Sequence, residues 1–408
     1  MKKWTFMVYL AGDNNLEGCG TEDINEMEQA GSTDDVNILA QFDRIRGYDP
    51  SNEDWRGTKR FYITKGASLG KIESEEVGDL GETNMGDPKV LENFIEWGMD
   101  NYPAEKYALI IWNHGSGWKE DDVYRVAVEK KLKFVKGRYD HVDWRNISQI
   151  LFSPTLQETV TVAPDKSIAF DDSNRDFLDN KELRNAIHNA TKGKKKIDVL
   201  GMDACLMAMI EVIYYLRNYV SVVVASQEVE PGDGWPYERI CTKLVKNPEI
   251  SGNELAKIIV KEYLKSYEEI SIEATQSAIS TEHLETFSTQ ISNLAAILLT
   301  KIQTPDIHQA IFGALQKVKR FYDADYIDLY DFCRLIHKKV ADEKIKQCAK
   351  DVMDAFQKVI VEEAHNEKAE IHGLAIYWPQ YFYNKKYDSL EWSKKTKWDD
   401  LIRKYLDV

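Results

Sequence analysis

The stretch Leu200–Met209, LGMDACLMAM, sets Cys205 where an apolar strand ends and an apolar helix is predicted to begin. Upstream, KIDVLGMDA has an apolar run that does not alternate, which predicts a strand buried on both faces of a sheet. Downstream, CLMAMIEVIYYLRNY predicts a helix and VSVVVASQ a further buried strand. The same rhythm continues toward the N-terminus. NKELRNAIHNAT reads as a helix and KYALIIWN as a buried strand. DPKVLENFIEWGMDNYP reads as a helix with Asp87 as N-cap, Pro88 in its first turn and Pro103 beyond its end. WTFMVYLAG (Trp4–Gly12) and VNILAQFDR (Val36–Arg44) flank EDINEMEQA, where Ile24, Met27 and Ala30 recur at helical spacing. RGTKRFYITKG, after the turn-rich GYDPSNED, predicts an edge strand. Strands alternating with helices give an α/β fold with a mainly parallel sheet covered on both faces.

Beyond Pro248 the pattern becomes amphipathic helices (GNELAKIIVKEYLKSYEE, HLETFSTQISNLAAILLTKIQT, DEKIKQCAKDVMDAFQKVIVEEAHN) and one late strand, IHGLAIYWPQ. Two units are therefore expected, residues 1–247 and a helix-rich 248–408, in keeping with a length of 408.

Hydrophobic residues at 43% and charged residues at 30% describe a globular chain. A net charge of −15 argues against a nucleic-acid partner, whose phosphates require clustered Lys and Arg. No stretch approaches the roughly 20 apolar residues of a membrane-spanning helix, so no membrane partner is expected. The opening MKKWTFMVYLAGDNN is cut short as an apolar run by Asp13 and reads as a strand, not a signal peptide. This leaves a cytoplasmic chain as it stands, or a secreted one had a leader been removed. Five scattered cysteines without C-x-x-C spacing indicate neither a disulfide framework nor a zinc site.

Reactive groups in parallel α/β sheets gather beyond the carboxyl ends of the strands. YALIIWNHGSGW places His114 there and IDVLGMDACLM places Cys205 there. An imidazole or a helix N-terminus beside a thiol raises its thiolate fraction, and Cys205 is expected to have both. Gly115 allows close backbone approach, so its N–H and that of Cys205 could hold an oxyanion. Asp203, two residues before the cysteine, and Asp233, in the glycine-flanked turn of EVEPGDGWPY, could seat a cationic Arg or Lys side chain. Taken singly, each residue has a plainer reading: a buried sulfur, a turn histidine, a turn aspartate.

Together, FMVYLAGDNNLE, NHGSGW, DACLMAMIEV and SQEVEPGDGWPY, in this order, resemble the clostripain family of cysteine peptidases, relatives of caspases, gingipains and legumain. The motifs cover the first 240 or so residues, the remainder only loosely. The resemblance implies a caspase-like α/β/α sandwich, a His114–Cys205 dyad, and an endopeptidase acting on proteins or peptides after Arg or Lys, with Asp203 and Asp233 as the acidic pocket for that residue. It further implies self-cleavage between the two catalytic residues. The charged segment 119–138 offers basic positions for this, with Lys130 and Lys131 at its centre. No cofactor is expected. Calcium, which some relatives require, is the one exception, through Asp171, Asp172, Asp176 and Asp179 of FDDSNRDFLDNKEL, although the spacing is not that of an EF-hand and Asp179 reads as a helix cap. The alternative is a catalytically silent caspase-like protein that binds basic peptides. A nucleotide-binding protein is excluded for want of a P-loop or G-x-G-x-x-G element at a strand-to-helix turn.

Overall fold

The structure, a computed structural model, describes residues 1–119 and 168–407, apart from 67, 69, 271, 273, 367 and 368. In chain order the described strands are β1 (Lys2–Gly12), β2 (Val36–Arg44), β3 (Gly57–Tyr62), β4 (Glu75–Gly81), β5 (Ala104–Trp112), β6 (Ile168–Asp171), β7 (Asp176–Leu178), β8 (Ile197–Asp203), β9 (Val220–Ala225), β10 (Thr275–Ser280), β11 (Tyr326–Asp328), β12 (Ile360–His365) and β13 (Ala375–Tyr377). Nine of them form one sheet in the order β12-β10-β9-β8-β5-β1-β2-β3-β4. Its centre, β9-β8-β5-β1-β2, is parallel throughout. The two outer strands on each side run antiparallel to their inner neighbours.

Side chains alternate between the faces of the central strands, as a strand's period of two requires. Met7, Tyr9, Leu109 and Ile111 enter one core with Leu91, Phe94 and Ile95 of helix Pro88–Asn101 and Leu183 and Ile187 of helix Asn180–Thr191. Phe6, Val8, Leu10 and Ile110 enter the other, with Ile24 and Met27 of helix Glu17–Ala30, Ile240 of helix Tyr237–Lys246 and Ile259 of helix Gly252–Glu269. The expected caps hold: Asp87 accepts from Lys89 N, and Asp179 forms a capping box with Glu182. No helix among the described residues is long and apolar enough to cross a membrane.

Several elements depart from the expected ones. The segment RGTKRFYITKG supplies β3, which is not an edge; the exposed, acidic, glycine-containing β4 lies outside it and has no apolar periodicity to announce it. β10 and β12, which lie beyond residue 248, extend the main sheet past β9. β12 follows helix Glu343–Val359 without a Gly or Pro between them, so the two read as one amphipathic run. The late strand shrinks to the three residues of β13, which pairs with β11 away from the main sheet. Finally, the helix after Cys205 begins only at Ile210 and ends at Leu216.

Candidate functional site

Trp112 of β5 pairs with Asp203 of β8, and Asn113 N continues the ladder to Asp203 O at 3.2 Å. His114 and Cys205, each two residues beyond that pair, therefore emerge on the same carboxyl-terminal rim from neighbouring strands. A Cβ at Gly115 would lie 2.5 Å from Cys205 O and 3.0 Å from Ala204 Cβ, so only a glycine lets the two loops pack backbone against backbone. The chain then turns sharply, with Leu206 at φ 64°, a left-handed conformation that a leucine adopts only when its surroundings impose it.

The His114 ring is held from two sides. Its Nε2 lies 3.1 Å from Asn15 Oδ1, and the ring meets Phe170 edge-on with centroids 6.1 Å apart. A carbonyl oxygen accepts, so Nε2 carries the proton and Nδ1 keeps its lone pair. Asn14 and Asn113 donate their side-chain amides to the carbonyls of both Ala11 and Phe170, tying the end of β1, the end of β5 and β6 into one cradle. Burial lowers the His114 pKa to about 4, so the ring is neutral at pH 7.

Cys205 is buried, with Sγ accepting from Glu230 N at 3.3 Å. Burial pushes the thiol up to about 12; the Glu230 N–H opposes this, and the Glu230 and Asp203 carboxyl groups add to it. The expected enrichment in thiolate is absent from this form. Its physical reason is twofold: the helix N-terminus lies five residues downstream, and burial outweighs the opposing Glu230 N–H while His114, neutral at pH 7, adds no positive charge.

Asp203 is buried beneath the loop of residues 230–237. Its Oδ2 accepts from Trp235 N at 3.2 Å and from the Tyr237 hydroxyl at 2.8 Å. The Trp235 indole packs on Gly201 of β8, where a Cβ would approach the ring to 2.6 Å. The carboxyl group set against Asp203 is that of Glu230, a residue not anticipated from the sequence. The two hydrogen-bond one another, which requires one to keep its proton; burial raises both, Glu230 the further. Glu230 also accepts from Gln276 Nε2 at 3.0 Å, a contact supplied by β10. Asp233 stands exposed on the outside of the same loop, at its rim.

Of the other expected residues, Lys119 bridges Asp323 and Asp325, both at 2.8 Å, and these aspartates outweigh the burial that would lower its pKa. Lys130, Lys131 and the rest of 120–138 fall outside the described residues. Of the acidic run read for calcium, Asp179 caps a helix and Asp176 accepts from Asn84 Nδ2 at 2.6 Å.

The sequence pattern of the clostripain family matches residues 8–164 and 156–405. Clostripain of Hathewaya histolytica is 27% identical over 447 aligned positions, covering 97% of this chain and 77% of that one. A secreted cysteine protease of Bacteroides thetaiotaomicron, solved with an irreversible peptide inhibitor, superposes with a TM-score of 0.64 at 19% identity, over 98% of this chain and 100% of that chain. An inactive zymogen protease of Parabacteroides distasonis gives 0.66 at 18% identity, over 97% and 98%. These likenesses fit the sheet order and two-sided helix layers of a caspase-like sandwich. Fold and sequence pattern agree: the chain belongs to the clostripain family of cysteine peptidases.

Proposed function

We propose that the protein is an endopeptidase that cleaves after Arg or Lys, with Cys205 as nucleophile and His114 as its proton carrier. The observation that carries this reading is the emergence of both groups, from adjacent parallel strands, beside a buried pair of carboxyl groups.

In the resting site both groups are neutral. His114 Nδ1 accepts the thiol proton as the sulfur attacks the carbonyl carbon of the scissile bond. The N–H groups of Gly115 and Cys205 bind the resulting oxyanion. The imidazolium returns its proton to the leaving amine, and the C–N bond breaks to leave a thioester. His114 then takes a proton from water, whose oxygen attacks the thioester, and returns that proton to the departing sulfur as the acid is released. Asp203 and Glu230, sharing one proton, present a single negative charge to the substrate cation, while Asp233 attracts it at the rim. Self-cleavage within 119–138, at positions such as Lys130 or Lys131, is part of the same reading, and a buried neutral thiol suits a chain not yet cut there.

The test is a panel of fluorogenic peptides ending in Arg, Lys or Asp. Cleavage of the first two is expected, lost together with any self-nicking in Cys205→Ala. Arg-directed cleavage that survives this substitution removes Cys205 from the role, and a preference for Asp overturns the pocket. Binding of basic peptides without turnover by the unaltered chain would favour the silent-binder alternative.

A further inference from the structure

His114 and Cys205 sit on two loops that a third segment, lying between helix Pro305–Leu315 and helix Leu329–Lys339, grips on both sides. On the histidine side, Lys119 Nζ lies 2.8 Å from both Asp323 and Asp325, and 5.3 Å from the centroid of the Tyr326 ring. The Lys119 N–H donates to the Tyr326 hydroxyl at 3.3 Å, and that hydroxyl donates to Ser116 O at 2.8 Å. On the cysteine side the joint is Glu228. Its backbone carbonyl accepts from Leu206 N at 3.0 Å, while its carboxylate accepts from Tyr322 N at 2.8 Å and pairs with Lys319 Nζ at 3.2 Å. All three segments meet at Gly117, where a Cβ would lie 2.9 Å from Leu206 O, 2.6 Å from Met209 Sδ and 3.0 Å from the Tyr326 ring.

The grip has the character of a positioning device. Leu206, next to the sulfur, holds a left-handed backbone that its bond to Glu228 helps to impose. The side chains of Lys119, Asp323, Asp325, Glu228 and Lys319 are each between 15% and 26% exposed, so their charges are partly sheltered from the screening that weakens open surface pairs. Burial first, and the charge of Cys205 second, hold the Tyr322 phenol above its usual range, which sets that side chain near the sulfur. We propose that the segment 319–326 is a clasp for the dyad, with Lys119 and Glu228 as the handles by which it sets the His114 loop against the Cys205 loop.

Both handles act through their neighbours, Glu228 through Leu206 and Lys119 through Ser116 and the Tyr326 hydroxyl. They are positioning residues. Lys119 also precedes the interval 120–138, so a cut there leaves it on the fragment that carries His114, and the clasp still joins that fragment to the one that carries Cys205.

The clasp's bearing on turnover rests on the proposed function, so the test pairs an assay that needs turnover with one that does not. Lys119→Gln, Glu228→Ala and Lys119→Arg are compared with the unaltered full chain for cleavage of an Arg peptide, and for alkylation of Cys205 by iodoacetamide at pH 8 followed by peptide mapping. In Lys119→Gln and Glu228→Ala, kcat is expected to fall about tenfold with KM little changed, because the groups that move are those at the reacting atoms and not those of the acidic pocket. Alkylation should quicken by about fivefold, since burial restrains the thiol and a loosened loop uncovers it. Lys119→Arg keeps the charge between the aspartates and should return both rates to within about twofold of the unaltered chain, as an ion-pair role requires. Lys119→Gln combined with Asp323→Asn and Asp325→Asn should be no slower than Lys119→Gln alone, because all three act on one contact. Lys350→Gln, which removes an ion pair with Asp354 on helix Glu343–Val359, should alter neither rate.

Unchanged kcat and unchanged alkylation in both Lys119→Gln and Glu228→Ala overturn the clasp. So does a loss that Lys119→Arg fails to restore, since Lys119 is then a packing residue. If the unaltered chain cleaves no Arg peptide, the proposed function falls, and the alkylation rates still decide the clasp. Should Lys119→Gln fail to fold, Asp325→Asn, which leaves Asp323 in place, is read in the same two assays: shifts in the same directions support the clasp and unchanged rates overturn it.

Discussion

Nε2 of His114 lies 3.1 Å from Oδ1 of Asn15, and that contact fixes which nitrogen of the ring carries the proton at rest. Asn15→Ala removes an acceptor from a partly buried N–H, a loss on the order of 1 kcal/mol or somewhat more. The expected result is a fall of about tenfold in kcat with KM little changed. Asn15→Asp keeps the acceptor but adds a negative charge, which raises the His114 pKa from about 4. The acid limb of its kcat profile should move to higher pH, measured against pH for the three proteins.

Gly115 touches the backbone of Cys205 so closely that a methyl group must displace one loop from the other. Gly115→Ala should lower kcat/KM for an Arg peptide by roughly 100-fold, the scale of losing one oxyanion donor. Circular dichroism should still report a folded chain, since the rim and not the central ladder absorbs the strain.

The carboxyl pair predicts a pH-dependent pocket. Burial raises Asp203 to about 6, so as pH falls through that value the pair gains its second proton and loses the charge that a basic side chain requires. kcat/KM for Arg peptides should decline below about pH 6 while a neutral P1 residue shows no matching decline. Glu230→Gln keeps a neutral donor against Asp203 and should leave that decline near pH 6, whereas Glu230→Leu, which removes the donor, should move it to higher pH. Because the folded-state pKa of Asp203 is raised, the stability it contributes is present in full near its unfolded pKa and is lost as pH rises through about 6. Urea unfolding of Asp203→Asn should show a correspondingly flatter dependence between pH 4 and 7.

The thiol pKa pushed up to about 12 sets the reactivity of the resting site. Inactivation by iodoacetamide should keep rising with pH through 7, 8 and 9, close to tenfold per unit, because only the thiolate reacts. A plateau across that range would mean a preformed thiolate–imidazolium pair and would contradict the burial described for Sγ.

What could be read from the sequence depended on whether a residue's role was local. Asp87 and Asp179 cap helices within their own few residues, and both were legible. The central strands were legible because burial on both faces leaves an unbroken apolar run. His114, Cys205 and Asp203 were legible as strand-end residues, and the register of β5 on β8 brings them together. β4 was not, since an exposed edge needs no apolar residues, and neither was β12, which no breaker separates from the preceding helix. Glu230 and Asn15 were missed for another reason. Each acts through a partner distant in sequence, Glu230 only once Trp235 has folded the loop back over Asp203, and Asn15 only once the end of β1 meets His114. A glutamate beside Pro231 and an asparagine in GDNN look like ordinary turn residues until the strand order is known.

The strand order also fixes what a nick would do. β1 and β5 come before residue 120 and β8, β9, β10 and β12 after 167, yet β5 and β8 lie side by side at the middle of the sheet. A single scission in the intervening interval would thus yield two polypeptides zipped along a dry parallel seam, with a shared core on either side. They would part on a denaturing gel but travel together through a sizing column, so such a scission would leave the protein's mass in solution unchanged.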